Sequence, residues 1–147
     1  MQILLSLVAL LTGAMIPFQL AFNGQLGVAL RSIYLGAFFV FLVGTLALAA
    51  LLILLRTPIP STADLQGVPW TAWFGGIVAT AYIVAVVFLV PRLGVGSTAV
   101  LIIAGQIVAA MILDRLGGFG AEATPLTALK LGGAGMVLLG AALVKFG

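Results

Sequence analysis

Between Met1 and Leu30 the chain carries no charged residue, and its 147 residues hold only six Lys or Arg and three Asp or Glu. Those charges fall where apolar runs of about twenty residues end. A bilayer hydrocarbon core about 30 Å thick is crossed by roughly 20 helical residues at 1.5 Å rise each. The chain therefore reads as an integral membrane protein built almost wholly of spanning helices. Its function has to be sought in the few polar groups left at membrane depth.

Composition narrows the field. Hydrophobic residues make up 64% and charged residues 6% of the chain, against roughly 45–50% and 25% in soluble domains. A soluble fold of this size has too little interior to hide that much apolar surface. The length fits a single transmembrane domain, 1–147, with no separate soluble module. Cysteine and histidine are both absent, which removes disulfides, thiolate chemistry, imidazole relays and the common zinc, copper and haem ligands. No metal and no cofactor is expected. A net charge of +3 without a cluster of Lys or Arg gives no footing for nucleic acid. The first apolar run lacks a basic flank and is too long for a secretory signal, so it reads as a retained helix.

Five segments follow from the punctuation: about 3–28, with Pro17 in its middle; about 32–55, between Arg31 and Arg56; about 70–90, stopping at Pro91 and Arg92; about 96–113, meeting Asp114 and Arg115; and about 125–146. A polar, proline-containing linker, 57–69, separates the second from the third. A Gly-rich loop, 117–120, leads to Glu122. Thr124 reads as the N-cap of the last segment, with Pro125 at its first helical position.

Lys and Arg normally bias orientation toward the basic side. Here Arg56, Arg115 and Lys130 end helices on one side, and Arg31, Arg92 and Lys145 on the other, three against three. A chain without such a bias can insert either way up, and five helices put its termini on opposite faces. Both traits suit pairing with an inverted copy, giving ten helices about a two-fold axis in the membrane plane. The alternative is an accidental tie, with orientation set by the first helix or by the insertion machinery.

The first segment has the densest polar content at membrane depth: Thr12, Gln19 and Asn23, with Gln25 nearer its end. Spacings of seven and four place the first three on one helical face. Pro17 frees a backbone carbonyl beside that stripe. Amides grip a ligand without charge and release it readily. Equally, they can bond to a neighbouring helix, worth about 0.6 kcal/mol on average. In the fourth segment Gln106, preceded by Gly105, has the same two readings. Asp114 is either an interfacial anchor or a carboxylate at the mouth of a pathway.

In the third segment Trp70 fits an aromatic belt at the headgroups. Trp73 lies a turn deeper on the face of Gly76 and Thr80, where it either walls a cavity or packs. Tyr82 points to the opposite face and reads as packing. Lys130 enters the last segment shallowly, so its stem can snorkel to the headgroups, with anion attraction as the alternative. That segment is rich in small residues. The pairs Gly133/Gly140 and Ala134/Ala141 make flat stripes for close packing between helices or chains, and Gly36 and Gly44 serve the second segment similarly. No Asp, Glu or Lys sits at the centre of a segment. Were flux coupled to protons, Asp114 would be the acid left to serve. Uncoupled movement fits equally well.

Four stretches, GAMIPFQLAFNGQLG (13–27), FFVFLVGTLAL (38–48), WFGGIVATAY (73–82) and PRLGVGSTAVLIIAGQIVAAMILDRLGGFG (91–120), resemble the YdcZ-like family of five-helix proteins in the drug/metabolite transporter superfamily. The resemblance is specific at Pro17-x-Gln19-x3-Asn23, at Trp73-x-Gly75-Gly76, and at Gly105-Gln106 followed by Asp114 and Gly117. The last segment matches more loosely, with Lys130 where arginine is more usual. The resemblance implies a half-size transporter of the bacterial inner membrane. Such proteins occur as dual-orientation homodimers, as oppositely oriented pairs or as fused ten-helix chains. It names a class of protein and not a cargo.

The expected architecture is an all-α membrane protein of five transmembrane helices, assembled as an antiparallel dimer. A central cavity lined by Gln19, Asn23, Gln106 and Trp73 would carry a small, neutral or weakly polar organic solute by alternating access. A multiply charged cargo would need compensating charge that the helices lack. Lipids and an inverted copy are the expected partners, and no enzymatic activity is expected, since no nucleophile–base or carboxylate pair lies at membrane depth. The rival reading is a non-transporting membrane subunit or assembly factor whose small-residue faces dock a larger partner.

Overall fold

The computed structural model describes residues 1–117 and 122–147, which form helices and turns without a strand among the described residues. The elements are α1 (Gln2–Ala29), α2 (Ile33–Leu54), a short α3 (Thr62–Gln66), a 3-10 turn (Trp70–Trp73) running into α4 (Phe74–Leu93), α5 (Val95–Leu116) and α6 (Ala128–Phe146). Five helical stretches among the described residues are long and apolar enough to cross a membrane, the third being Trp70–Leu93. The Gly-rich loop beyond Gly117 lies outside the described residues.

Two helix ends shift by about three residues from their approximate expected positions, and one connection holds a helix of its own. First, α4 does not stop before Pro91 but runs through it to Leu93. Pro91 removes only its own bond to the Val87 carbonyl. Second, α6 begins at Ala128 rather than near Pro125, with Thr127 as N-cap. The Thr127 hydroxyl accepts from Lys130 N–H at 3.2 Å, whereas Thr124 is used otherwise: its N–H donates to Asp114 O at 2.7 Å. Lys130 thus lies in the first turn of α6, exposed. Third, the 57–69 linker contains α3, closed by a capping box. Ser61 Oγ donates to Asp64 Oδ2 at 2.6 Å, Ser61 N–H to the same oxygen at 2.9 Å, and Asp64 N–H to Ser61 Oγ at 3.3 Å. The Ser61 hydroxyl first, and its N–H second, hold the Asp64 carboxyl below the usual carboxylate range.

The chain divides into two compact units, Met1–Pro17 with Leu93–Gly147, and Phe18–Arg92. In the second unit, α1, α2 and α4 meet through glycine. A methyl group placed on Gly24 would lie 2.7 Å from Val90 Cγ1, and one on Gly27 would collide with Val87 Cγ1. One on Gly36 would lie 2.8 Å from the Cα of Gly27, backbone against backbone. Beside this crossing Ala37, Ile83 and Val87 form a buried cluster, with Phe41 and Tyr82 packed against it.

In the first unit α5 packs against α6. Ala99 and Ala104 on α5 and Ala141 on α6 are buried. An apolar cleft of about 270 Å³ remains between Val100 and Ile103 on one helix and Val137, Gly140 and Val144 on the other. Residues 2–15 of α1 are exposed throughout.

Candidate functional site

Three threonine hydroxyls of the spans are absorbed by their own helices. Thr12 Oγ1 donates to Val8 O at 2.8 Å, Thr80 Oγ1 to Gly76 O at 2.9 Å, and Thr98 Oγ1 to Gly94 O at 2.7 Å. Such bonds to the carbonyl one turn back leave little for a ligand. An amide cannot settle itself this way so simply, so the amides carry the interest.

Asn23 is the one predicted lining residue that the structure buries, at 5% exposure. It stands on α1 directly before Gly24, at the level where α4 presents Val90 and Pro91. Its Nδ2 has no hydrogen-bond partner among the described residues. An unsatisfied buried amide costs about 1–3 kcal/mol. Buried polar groups are normally paired, so this one marks a place where another group belongs.

Gln19, one turn earlier, is exposed. The buried stripe of α1 runs through Leu20, Asn23, Gly24 and Gly27. At 3.6 residues per turn, Gln19 lies about 90° around the helix from the centre of that stripe. Gln25 is exposed as well. Trp73 is 60% exposed and stands in the 3-10 turn before α4. Seventeen residues separate it from Val90, roughly 25 Å along the helix axis, so this unit does not bring it beside Asn23. Tyr82, as its face implied, packs into the α2–α4 cluster.

Gln106 and Asp114 belong to the first unit, both exposed on α5 and about 12 Å apart along it. Ala141 is buried and Ala134 half-buried, while a methyl group on Gly133 or Gly140 would meet nothing within 4 Å. Ala141 is therefore used within the chain, Gly133 is open, and Gly140 borders the cleft between α5 and α6. Neither unit closes a complete cavity from the four residues Gln19, Asn23, Trp73 and Gln106. Among the described residues no group of three or more Asp and Glu could hold a metal ion.

One grouping escaped the sequence, where Arg31 and Arg92 served to mark the ends of spans and to count charge by side. Both line a cleft of about 360 Å³ at one end of the second unit, with Ser32, Gly27, Val87 and Pro91. Local structure puts them there. Arg31 terminates α1 at φ +51°, its N–H donating to Val28 O at 3.1 Å, while Ser32 N–H reaches Gly27 O at 3.2 Å. This is a Schellman ending with arginine where glycine is usual. Arg92 folds back on α4: its Nη1 donates to Phe88 O at 2.6 Å and its guanidinium carbon stands 3.7 Å over the Phe88 ring. The only signal in the sequence was that both arginines fall on the same side in the charge tally.

Comparison with known proteins adds one finding. A family model described as "Putative inner membrane exporter, YdcZ" matches residues 4–143. No curated protein and no solved structure matches the chain. The family match takes in Pro17, Gln19, Asn23, Trp73, Gln106 and Asp114, and its description is that of a transporter rather than an enzyme. With five helical stretches able to cross a membrane among its described residues, the chain belongs to the YdcZ family, whose description is that of a membrane transporter.

Proposed function

We propose that the chain is one half of an antiparallel homodimeric exporter, moving a small neutral or weakly polar organic solute by alternating access past Asn23. The observation that carries this reading is the buried Asn23 amide with no partner for its Nδ2. A solute hydroxyl or carbonyl can accept that bond while passing and be released without separating charge. Gln19, Gln106 and Trp73 are exposed on the single chain; in this reading a second copy covers them and they complete the lining. The open Gly133 supports close approach of that copy. The even division of Lys and Arg supports its inversion. Asp114, exposed at the end of α5, is the pathway-mouth residue in this scheme.

The chain has no cysteine, so single cysteines in the 57–69 linker or beside Lys145 report orientation without background. Labelling from both sides of the membrane in comparable amounts is the expected result. Labelling from one side alone would sink the inverted dimer and favour the docking-subunit reading. Reconstituted into liposomes with a panel of small metabolites, Asn23→Ala should lower flux at least about tenfold, the worth of one well-placed hydrogen bond, and leave the dimer intact. Unchanged flux would remove Asn23 from the pathway.

A further inference from the structure

The cleft at the α1–α2 turn is lined by two cationic side chains, Arg31 and Arg92. Arg31 stands in the turn after α1 and Arg92 near the end of α4, no acidic residue lines the cleft, and no ion pair engages either arginine among the described residues. Arg92 spends one N–H on Phe88 O; a guanidinium has five, so four remain. The lining also includes Ser32, whose hydroxyl oxygen accepts from Leu35 N–H as the N-cap of α2. That oxygen still has its own O–H to donate. The α2 N-terminus adds the positive end of a 22-residue helix. The volume of about 360 Å³ falls in the roughly 300–1,000 Å³ range of small-molecule sites.

Height in the bilayer narrows the ligand. Arg31 follows the last residues of α1, and Arg92 is one residue from the end of α4. Both therefore sit where apolar spans give way to headgroups. Two forked guanidinium groups match the oxygens of a phosphate in a way that lysines do not. We propose that Arg31, Arg92 and Ser32 form a binding site for a phosphate group, distinct from the Asn23 pathway. An anionic phospholipid headgroup and a soluble phosphate share that chemistry.

The test uses the full chain, purified with its helicity checked, and native mass spectrometry against phosphatidylglycerol, phosphatidylcholine and inorganic phosphate. Wild type should retain phosphatidylglycerol over phosphatidylcholine, or bind inorganic phosphate. Competition by millimolar inorganic phosphate identifies a soluble ligand; preference for phosphatidylglycerol that phosphate does not displace identifies the lipid. Arg31→Gln with Arg92→Gln should weaken the bound form about tenfold or more, since each arginine supplies a charge-assisted bond. Should the double variant fail to fold, Arg92→Gln alone, on an exposed side chain, should still weaken binding about threefold. The matched control is Arg56→Gln, because Arg56 ends α2 in the same left-handed conformation, φ +51°, but lines a different and mainly apolar pocket. No binding in wild type, no change in the Arg31/Arg92 variants, or an equal loss in Arg56→Gln would each overturn the proposal.

Discussion

The glycines of the α1–α2–α4 crossing and those of α6 are the same residue type used in opposite ways. Gly24, Gly27 and Gly36 each leave a gap that a neighbour from the same chain already fills, Val90, Val87 and the Gly27 backbone respectively. Gly132, Gly133, Gly135 and Gly140 on α6 leave gaps that nothing fills within 4 Å. In lipid, where apolar burial gives helices little reason to associate, close packing of small residues is a main source of attraction. One region has spent that attraction within the chain; the other still has it to offer.

The largest effect should come from breaking the first region. Gly36→Val pushes a side chain into backbone rather than into a flexible group, and overpacking of that kind costs on the order of 1–3 kcal/mol. A lowered melting temperature of the detergent-solubilised chain, followed by tryptophan fluorescence, is the expected reading. Gly133→Leu sharpens the contrast: the melt of the single chain should stay within about 0.5 kcal/mol of wild type, while cross-linking between copies, if the proposed dimer forms through this face, falls. If Gly133→Leu lowers the melt as much as Gly36→Val, the two regions do not differ as described.

Asn23→Leu probes the crossing without filling a glycine gap. Replacing an unpaired buried amide by an apolar side chain of similar size should leave stability equal or raise it by about 1 kcal/mol, with flux lost. A strongly destabilised Asn23→Leu chain would mean that the amide is paired inside the fold. The smallest effect belongs to α3, which owes nothing to either glycine region. Its Asp64 carboxyl is held below the usual carboxylate range, so the ionised form stabilises the folded capping box. That stabilisation is complete above the ordinary carboxylate range and is lost as pH falls through the lowered value. A lower protection factor for the Asp64 amide in acid, measured against the intrinsic exchange rate at each pH, with the spans unaffected, is the expected result.

The spans themselves are legible in the sequence because hydropathy and the flanking arginines act locally. The ends of α1 and α2 fall within a residue of the expected positions for that reason. The start of α6 falls three residues later than expected because Thr124 and Thr127 are both competent caps, and the fold uses the Thr127 hydroxyl. The short α3 was written in Ser61-x-x-Asp64 but hidden among prolines. Helical periodicity put Gln19 and Asn23 on one face, yet only Asn23 falls within the stripe that Gly24 and Gly27 bring against α4. Which glycine meets which valine is a tertiary fact, and no local pattern encodes it. The pairing of Arg31 with Arg92 across one cleft was illegible for the same reason.

Ser32 closes α1 through its backbone N–H and opens α2 through its side-chain oxygen. One residue thus punctuates two rods, and neither end can unravel without disturbing the other. Fraying at this corner is therefore shared, the last turn of α1 and the first turn of α2 opening and closing together.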